Sequence, residues 1–312
     1  MKAVPIILSA LLMGISTAQE MPSSIVRSSI SSKGTIWTGQ RVDLGIDLVA
    51  PGYFSGTAVF DLPSLPDVLI VPPSGSPTVG TENIGGQDYV TQHHTVTIYP
   101  RRPGAFEIPP FTIRFAIKPD PLAHDPVDQM VKTDAIRIEA KQPPGLPADG
   151  MTITSASLTV EESWQPVPGH EAKPGDAFIR TIKWHARDMT GIAFPPIPDQ
   201  SSGPIALYRS EPEVVDETSR DGTSGNRTDK LTYVCKAGGN ASIPGITFRW
   251  WDPTVSAVKQ VIFPPHDIHI IAPPIPPEPP LRRAWNFLRH HVVPIITSIA
   301  VAAALATARY LS

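Results

Sequence analysis

Two stretches 135 residues apart follow one pattern, and that repetition restricts the fold more than anything else in the chain. Gly104-Ala-Phe-Glu-Ile108-Pro109-Pro110-Phe111-Thr112-Ile113-Arg114-Phe115 is matched by Gly239-Asn-Ala-Ser-Ile243-Pro244-Gly245-Ile246-Thr247-Phe248-Arg249-Trp250. In both, a glycine-bearing turn leads into Ile-Pro and then into an alternating run. Phe111, Ile113 and Phe115 share one face of the first run; Ile246, Phe248 and Trp250 share one face of the second. Alternation of aromatic and β-branched residues with a period of two marks a half-buried strand. The chain therefore reads as one β-module used twice.

Other segments recur with it. Thr38-Gly39-Gln40 opens an alternating strand with Val42, Leu44, Ile46 and Leu48 facing in and Arg41, Asp43 and Asp47 facing out; Pro174-Gly175-Asp176 opens its counterpart. Gly75 to Gly86 and Glu211 to Arg227 are polar and read as equivalent loops. The 37 prolines interrupt nearly every helical candidate between residues 20 and 280, and suit a protein of edge strands and turns. The expected fold is all-β: two tandem immunoglobulin-like β-sandwich modules, residues 23–140 and 151–272, joined by a linker at 141–150. Cys235 is the sole cysteine, so no internal disulfide forms, and the default reading is an inert, partly buried thiol.

The two ends differ from the body. Met1-Lys2, an apolar run from Ala3 to Ile15 and Ser16-Thr17-Ala18 make residues 1–18 a secretory signal peptide. Residues 273–280 form a proline-rich stalk, about 25 Å long at the polyproline rise. Residues 281–291 read as an interfacial segment, with Arg282, Arg283 and Arg289 among apolar residues. Residues 292–308 are uncharged and apolar, enough for one transmembrane helix. An exported body puts those arginines outside, against the positive-inside tendency; long domains nonetheless follow their signal sequence largely regardless of flanking charge. The expected location is the bacterial cytoplasmic membrane, with a single C-terminal span and the body in the periplasm.

No catalytic constellation emerges, and no enzyme, cofactor or metal site is expected. The chain has no G-x-S-x-G elbow, P-loop or H-E-x-x-H motif. His266 and His269 lie three apart on a strand and so point to opposite faces, which does not suit a metal. A net charge of −3 gives no general attraction to nucleic acid.

The candidate interaction residues are Trp251 with Arg249, and a small-residue stripe in the span, Ser298, Ala302 and Ala306. Alternation turns Trp251 away from Trp250 and the core, where module one has only Ala116. Two settings are open for it: under the 211–227 loop, or exposed as an anchor for a partner. The stripe falls at i, i+4 and i+8, which allows close approach of another helix; Ala300, Ala304 and Ala308 form a second such stripe, so either face is open to the contact. An alternative function is a cell-envelope glycan-binding module using Trp184 and Trp251 as exposed aromatics.

Taken together, Tyr99-Pro100 followed by Gly104-Ala-Phe-Glu-Ile-Pro-Pro, Pro174-Gly175-Asp176, Ile243-Pro244 and Trp250-Trp251-Asp252 resemble the BatD (bacterial aerotolerance, or oxygen tolerance) family. The resemblance implies a periplasmic, membrane-tethered component of a stress-linked envelope assembly. It also implies partners: von Willebrand A domain membrane proteins and a MoxR-type AAA ATPase. It supplies no catalytic residues to carry over.

Overall fold

The computed structural model describes residues 23–32, 34–122, 124–147, 151–198, 200–219, 222–272 and 285–310. The expected signal peptide, the proline-rich stalk and residues 281–284 of the interfacial segment lie outside the described residues. The body is all-β. In the first half the strands are β1 (Ile25–Ile30), β2 (Ile36–Trp37), β3 (Val42–Ala50), β4 (Tyr53–Phe60), β5 (Val68–Val71), β6 (Thr78–Ile84), β7 (Gln87–Pro100), β8 (Gly104–Ile108), β9 (Thr112–Lys118), β10 (Val127–Lys132) and β11 (Ile136–Lys141). In the second they are β12 (Thr159–Gln165), β13 (Glu171–Ala172), β14 (Ala177–Ala186), β15 (Ile205–Arg209), β16 (Glu213–Ser219), β17 (Gly222–Cys235), β18 (Gly239–Ile243), β19 (Ile246–Asp252), β20 (Ala257–Phe263) and β21 (His266–Ile270).

The same wiring appears twice. One sheet of the first half runs β1-β3-β7-β5, with β6 sharing the long strand β7; in the second half β12-β14-β17-β15 follows, with β16 on β17. Opposite lie β2-β11-β8 and its counterpart β13-β21-β18. Val42, Leu44, Ile46 and Leu48 are buried in the first core together with Ile113 and Phe115 across from them, as the alternation predicts. Burial of each such side chain contributes about 1.5–3 kcal/mol. Trp184 anchors the second core, its ring 4.5 Å from Phe248 and 5.6 Å from Phe194.

Two expectations need correction. Gly75–Gly86 and Glu211–Arg227 are not loops: β6 pairs antiparallel with β7, and β16 pairs with β17 from Glu213↔Thr228 to Ser219↔Gly222. Strands that project from a sandwich have little apolar face to cover, so polar sequence hides them from an alternation test.

The copies differ at β9 and its counterpart β19. In module one β9 is central, flanked by β10 and β4. In module two β19 pairs with β20 alone in its sheet. Where β4 would lie, the chain forms a short 3-10 turn at Gly191–Ala193 and runs on through Pro195, Pro196 and Pro198. Prolines have no N–H to give a ladder, so this run cannot replace the strand.

At the C-terminus a wide π-type turn, Leu288–Val292, leads into helix α1 (Val293–Tyr310). Pro294 explains the wide turn, since it cannot donate to the carbonyl four residues before it. The segment Trp285–Leu305 is long and apolar enough to cross a membrane. At 21 residues it is about 31 Å long, close to the hydrocarbon thickness. It begins inside the stretch expected to be interfacial.

Candidate functional site

The two modules meet at a tight joint, and Trp251 lies in it. Its ring centroid is 5.5 Å from that of Trp37, at the end of β2, and only 5% of the residue is exposed. Residues 153–155, just past the linker, clip the same strand: the Trp251 N–H donates to the Ile153 carbonyl (2.9 Å) and the Ser155 N–H to the Trp251 carbonyl (3.0 Å). Thr154 between them reaches back to module one, its hydroxyl donating to the Thr38 carbonyl at 2.7 Å. Gly39 permits this approach. Its φ is +75°, and a Cβ there would stand 2.0 Å from the Thr152 carbonyl oxygen.

A second contact lies beside it. The Thr190 N–H donates to the Tyr99 hydroxyl at 3.0 Å, tying the turn after β14 to the end of β7. Burial pushes the Tyr99 phenol up to about 12 from an ordinary 10.0. Asp216 accepts from the Thr190 hydroxyl and, at 2.8 Å, from the Gly191 N–H. A cleft of about 400 Å³ runs here between the modules, lined by Arg41, Asp43, Tyr99 and Asp216. Arg41 is already held by Asp43 at 2.8 Å.

The reading of Trp251 as a free anchor is therefore corrected. Neither the 211–227 segment nor an outside partner covers it; Trp37 and the segment 153–155 do. The contact spans more than two hundred residues, and no local pattern could reveal it. Trp184 is likewise buried, at 1% exposure, with its indole N–H donating to Asp229 at 3.1 Å. The glycan-binding alternative thus loses both aromatics on which it rested. Next to Trp251, Asp252 accepts from the Thr254 hydroxyl and meets Lys259 Nζ at 2.5 Å, and the Lys259 contact leads in drawing its carboxyl down to about 2. This holds the β19–β20 turn.

Arg249 stays exposed on β19, touching Gln260 Oε1 through its Nε at 3.3 Å. A groove of about 430 Å³ opens along this strand, walled by Ile153, Leu158 and Phe248. In the apolar helix the Ser298 hydroxyl donates to the Pro294 carbonyl at 2.7 Å, Ala302 is exposed, and Ala306 falls within the helical span.

Other sequence candidates are satisfied locally. His269 Nδ1 pairs with Asn240 Oδ1 at 2.8 Å, and His266 lies edge-on to Trp164. Cys235 is buried, which pushes its thiol pKa up. Among the described residues no three His, Cys, Asp or Glu side chains gather as metal ligands would.

Fold and site together define a tandem β-sandwich protein with a docked joint and one C-terminal apolar helix. Residues 29–140 match the family model for BatD, described as a BatD DUF11 like domain, and this match bears out the BatD resemblance. The match covers module one and stops before the linker. No curated protein matches the chain.

Proposed function

We propose that the protein is a non-enzymatic, membrane-anchored interaction protein, BatD-like, whose body stands in the periplasm as part of a stress-linked, aerotolerance-type envelope assembly. The observation that carries this reading is the combination of a BatD-family domain with an uncovered apolar helix on the same chain. The exposed Ile295, Ile296, Ile299, Val301 and Leu305 have the surface of a helix that lipid or another helix covers. Membrane proteins with von Willebrand A domains and a MoxR-type AAA ATPase are the partners the family resemblance suggests. Ser298, Ala302 and Ala306 offer the helix its close-packing stripe.

The test is capture of the tagged full chain from native membranes after mild cross-linking. A von Willebrand A domain protein should be recovered with it, and replacing residues 292–308 by an unrelated apolar span should reduce that recovery. Recovery of neither proposed partner would overturn the reading. Unchanged recovery with the replaced span would leave the helix a passive anchor.

A further inference from the structure

The two copies of the module provide a template for what module two lacks. In module one, β9 carries β4 on one edge, with Phe60 opposite Ile113 and Val59 opposite Arg114. The next residue, Asp61, closes the contact twice. Its N–H donates to the Thr112 carbonyl at 2.9 Å, and its carboxylate accepts from Arg114 at 2.7 Å. At the constant offset of 135, Thr112, Ile113 and Arg114 become Thr247, Phe248 and Arg249.

Module two keeps the acceptor strand and has lost the donor. On the edge of β19 away from β20, the segment 153–155 pairs only at Trp251. Main-chain groups alternate between the two edges of a strand, so Thr247 and Arg249 point the same way as Trp251. Among the described residues, neither of them has a main-chain partner on that edge. Arg249 has kept the guanidinium and has no carboxylate among the described residues; its contact is Gln260. The proline run at 195–198 prevents the chain's own connection from filling the place. The groove of about 430 Å³ runs along this edge, with Phe248 exposed to it in part.

We infer that the open edge of β19 binds an extended segment of a partner protein by strand addition, an apolar residue seating against Phe248 and the following carboxylate pairing with Arg249. The occupant is specified by the template: an apolar residue followed by Asp or Glu, as Phe60-Asp61 is in module one. Main-chain bonds to Thr247 and Arg249 supply affinity, and the two side-chain contacts supply selectivity. This inference rests on the proposed interaction role and gives it a site.

Amide hydrogen exchange on the full chain in detergent tests the edge before any ligand is added. The Trp251 amide, bonded to Ile153, should exchange slowly, while Thr247 and Arg249 on the same strand exchange at least tenfold faster. The probe for binding is a fluorescent peptide with the chain's own sequence Thr57-Ala-Val-Phe-Asp-Leu62. It should bind saturably and slow exchange at Thr247 and Arg249. Arg249→Glu in the protein, or Asp61→Asn in the peptide, should weaken binding roughly fivefold, the scale of one exposed ion pair. Slow exchange at Thr247 and Arg249 in the free chain would mean the protein covers this edge itself and would overturn the inference. So would absence of peptide binding, or binding indifferent to Arg249. Partner recovery from membranes is read separately, so a failed edge and a failed interaction role give different results.

Discussion

Removing the Trp251 side chain is the sharpest test of the joint. The residue is 5% exposed, its ring lies 5.5 Å from Trp37, and its main chain is bonded to Ile153 and Ser155 on either side of Thr154. Truncating a buried Trp to Ala costs about 3–5 kcal/mol through lost transfer energy and the remaining cavity. For a unit of this size that lowers Tm by roughly 10–15 °C. A surface anchor, by contrast, would shift stability by no more than about 0.5 kcal/mol.

The loss alone does not show that the modules are docked, because Trp251 also belongs to module two. A double-mutant cycle with Trp37→Ala separates the two effects. Trp37 belongs to module one, and the ring pair should carry a coupling of about 0.5–1.5 kcal/mol. Both single variants and the double variant are measured by calorimetry on the full chain in detergent, with denaturant titration as a second axis. The double variant should lose less than the two single losses added. Strict additivity would mean the two rings do not meet and would refute the docked joint. A Trp251→Ala protein melting like the parent would refute the burial itself.

Three further outcomes follow from the same structure. Glu162→Ala should cost about 3–5 kcal/mol, because it strips the carboxylate from Arg180, a 1%-exposed guanidinium held at 2.6 Å; urea midpoints would show it, and a change within about 0.5 kcal/mol would contradict the pairing. Phe248→Ala should destabilise module two by about 3 kcal/mol through its contacts with Trp184 and Phe263, while exposed Thr247→Ala stays within about 0.5 kcal/mol; equal melting shifts would reverse the face assignment. Tyr99 is raised on folding, so its contribution is complete below its ordinary pKa of 10.0 and is lost as pH rises towards about 12. Alkaline titration should accordingly lower Tm over that window, and Tyr99→Phe should flatten the slope.

The body of the fold was legible because its cores obey a local rule. Val42 to Leu48 and Phe111 to Phe115 alternate, and alternation is what burial on one side of a sheet requires. The repeated Ile-Pro stretch revealed the duplication for the same reason. Polarity misled where both faces of a strand meet water, as in β6 and β16. Trp251 was readable as pointing away from its own core, which is correct, and unreadable as to what it meets. The partner ring lies at Trp37, and only the close approach of residues 152–154 to Thr38 and Gly39 brings it there.

The differences between the copies converge on one strand. Trp251 stands where module one has Ala116, the 3-10 turn at Gly191–Ala193 stands where it has β4, and Arg249 faces no Asp61. Independent drift in a scaffold would scatter such changes over both sheets, yet these three alter successive parts of β19. At its C-terminal end the added indole and the segment 153–155 clamp module one. At its N-terminal end the withdrawn strand leaves main-chain groups, an aromatic ring and a guanidinium facing a groove. The clamp has a consequence for the groove: Ile153, one of its walls, belongs to the segment 153–155 that bonds Trp251 and, through Thr154, reaches module one. Docking of the modules therefore shapes the groove, and loosening the joint should loosen the edge with it. The Trp37→Ala variant provides the test, since it leaves every residue of module two intact. Its peptide affinity should fall although no groove residue has changed. Unaltered affinity in a Trp37→Ala chain with a lowered Tm would show that the edge and the joint act independently.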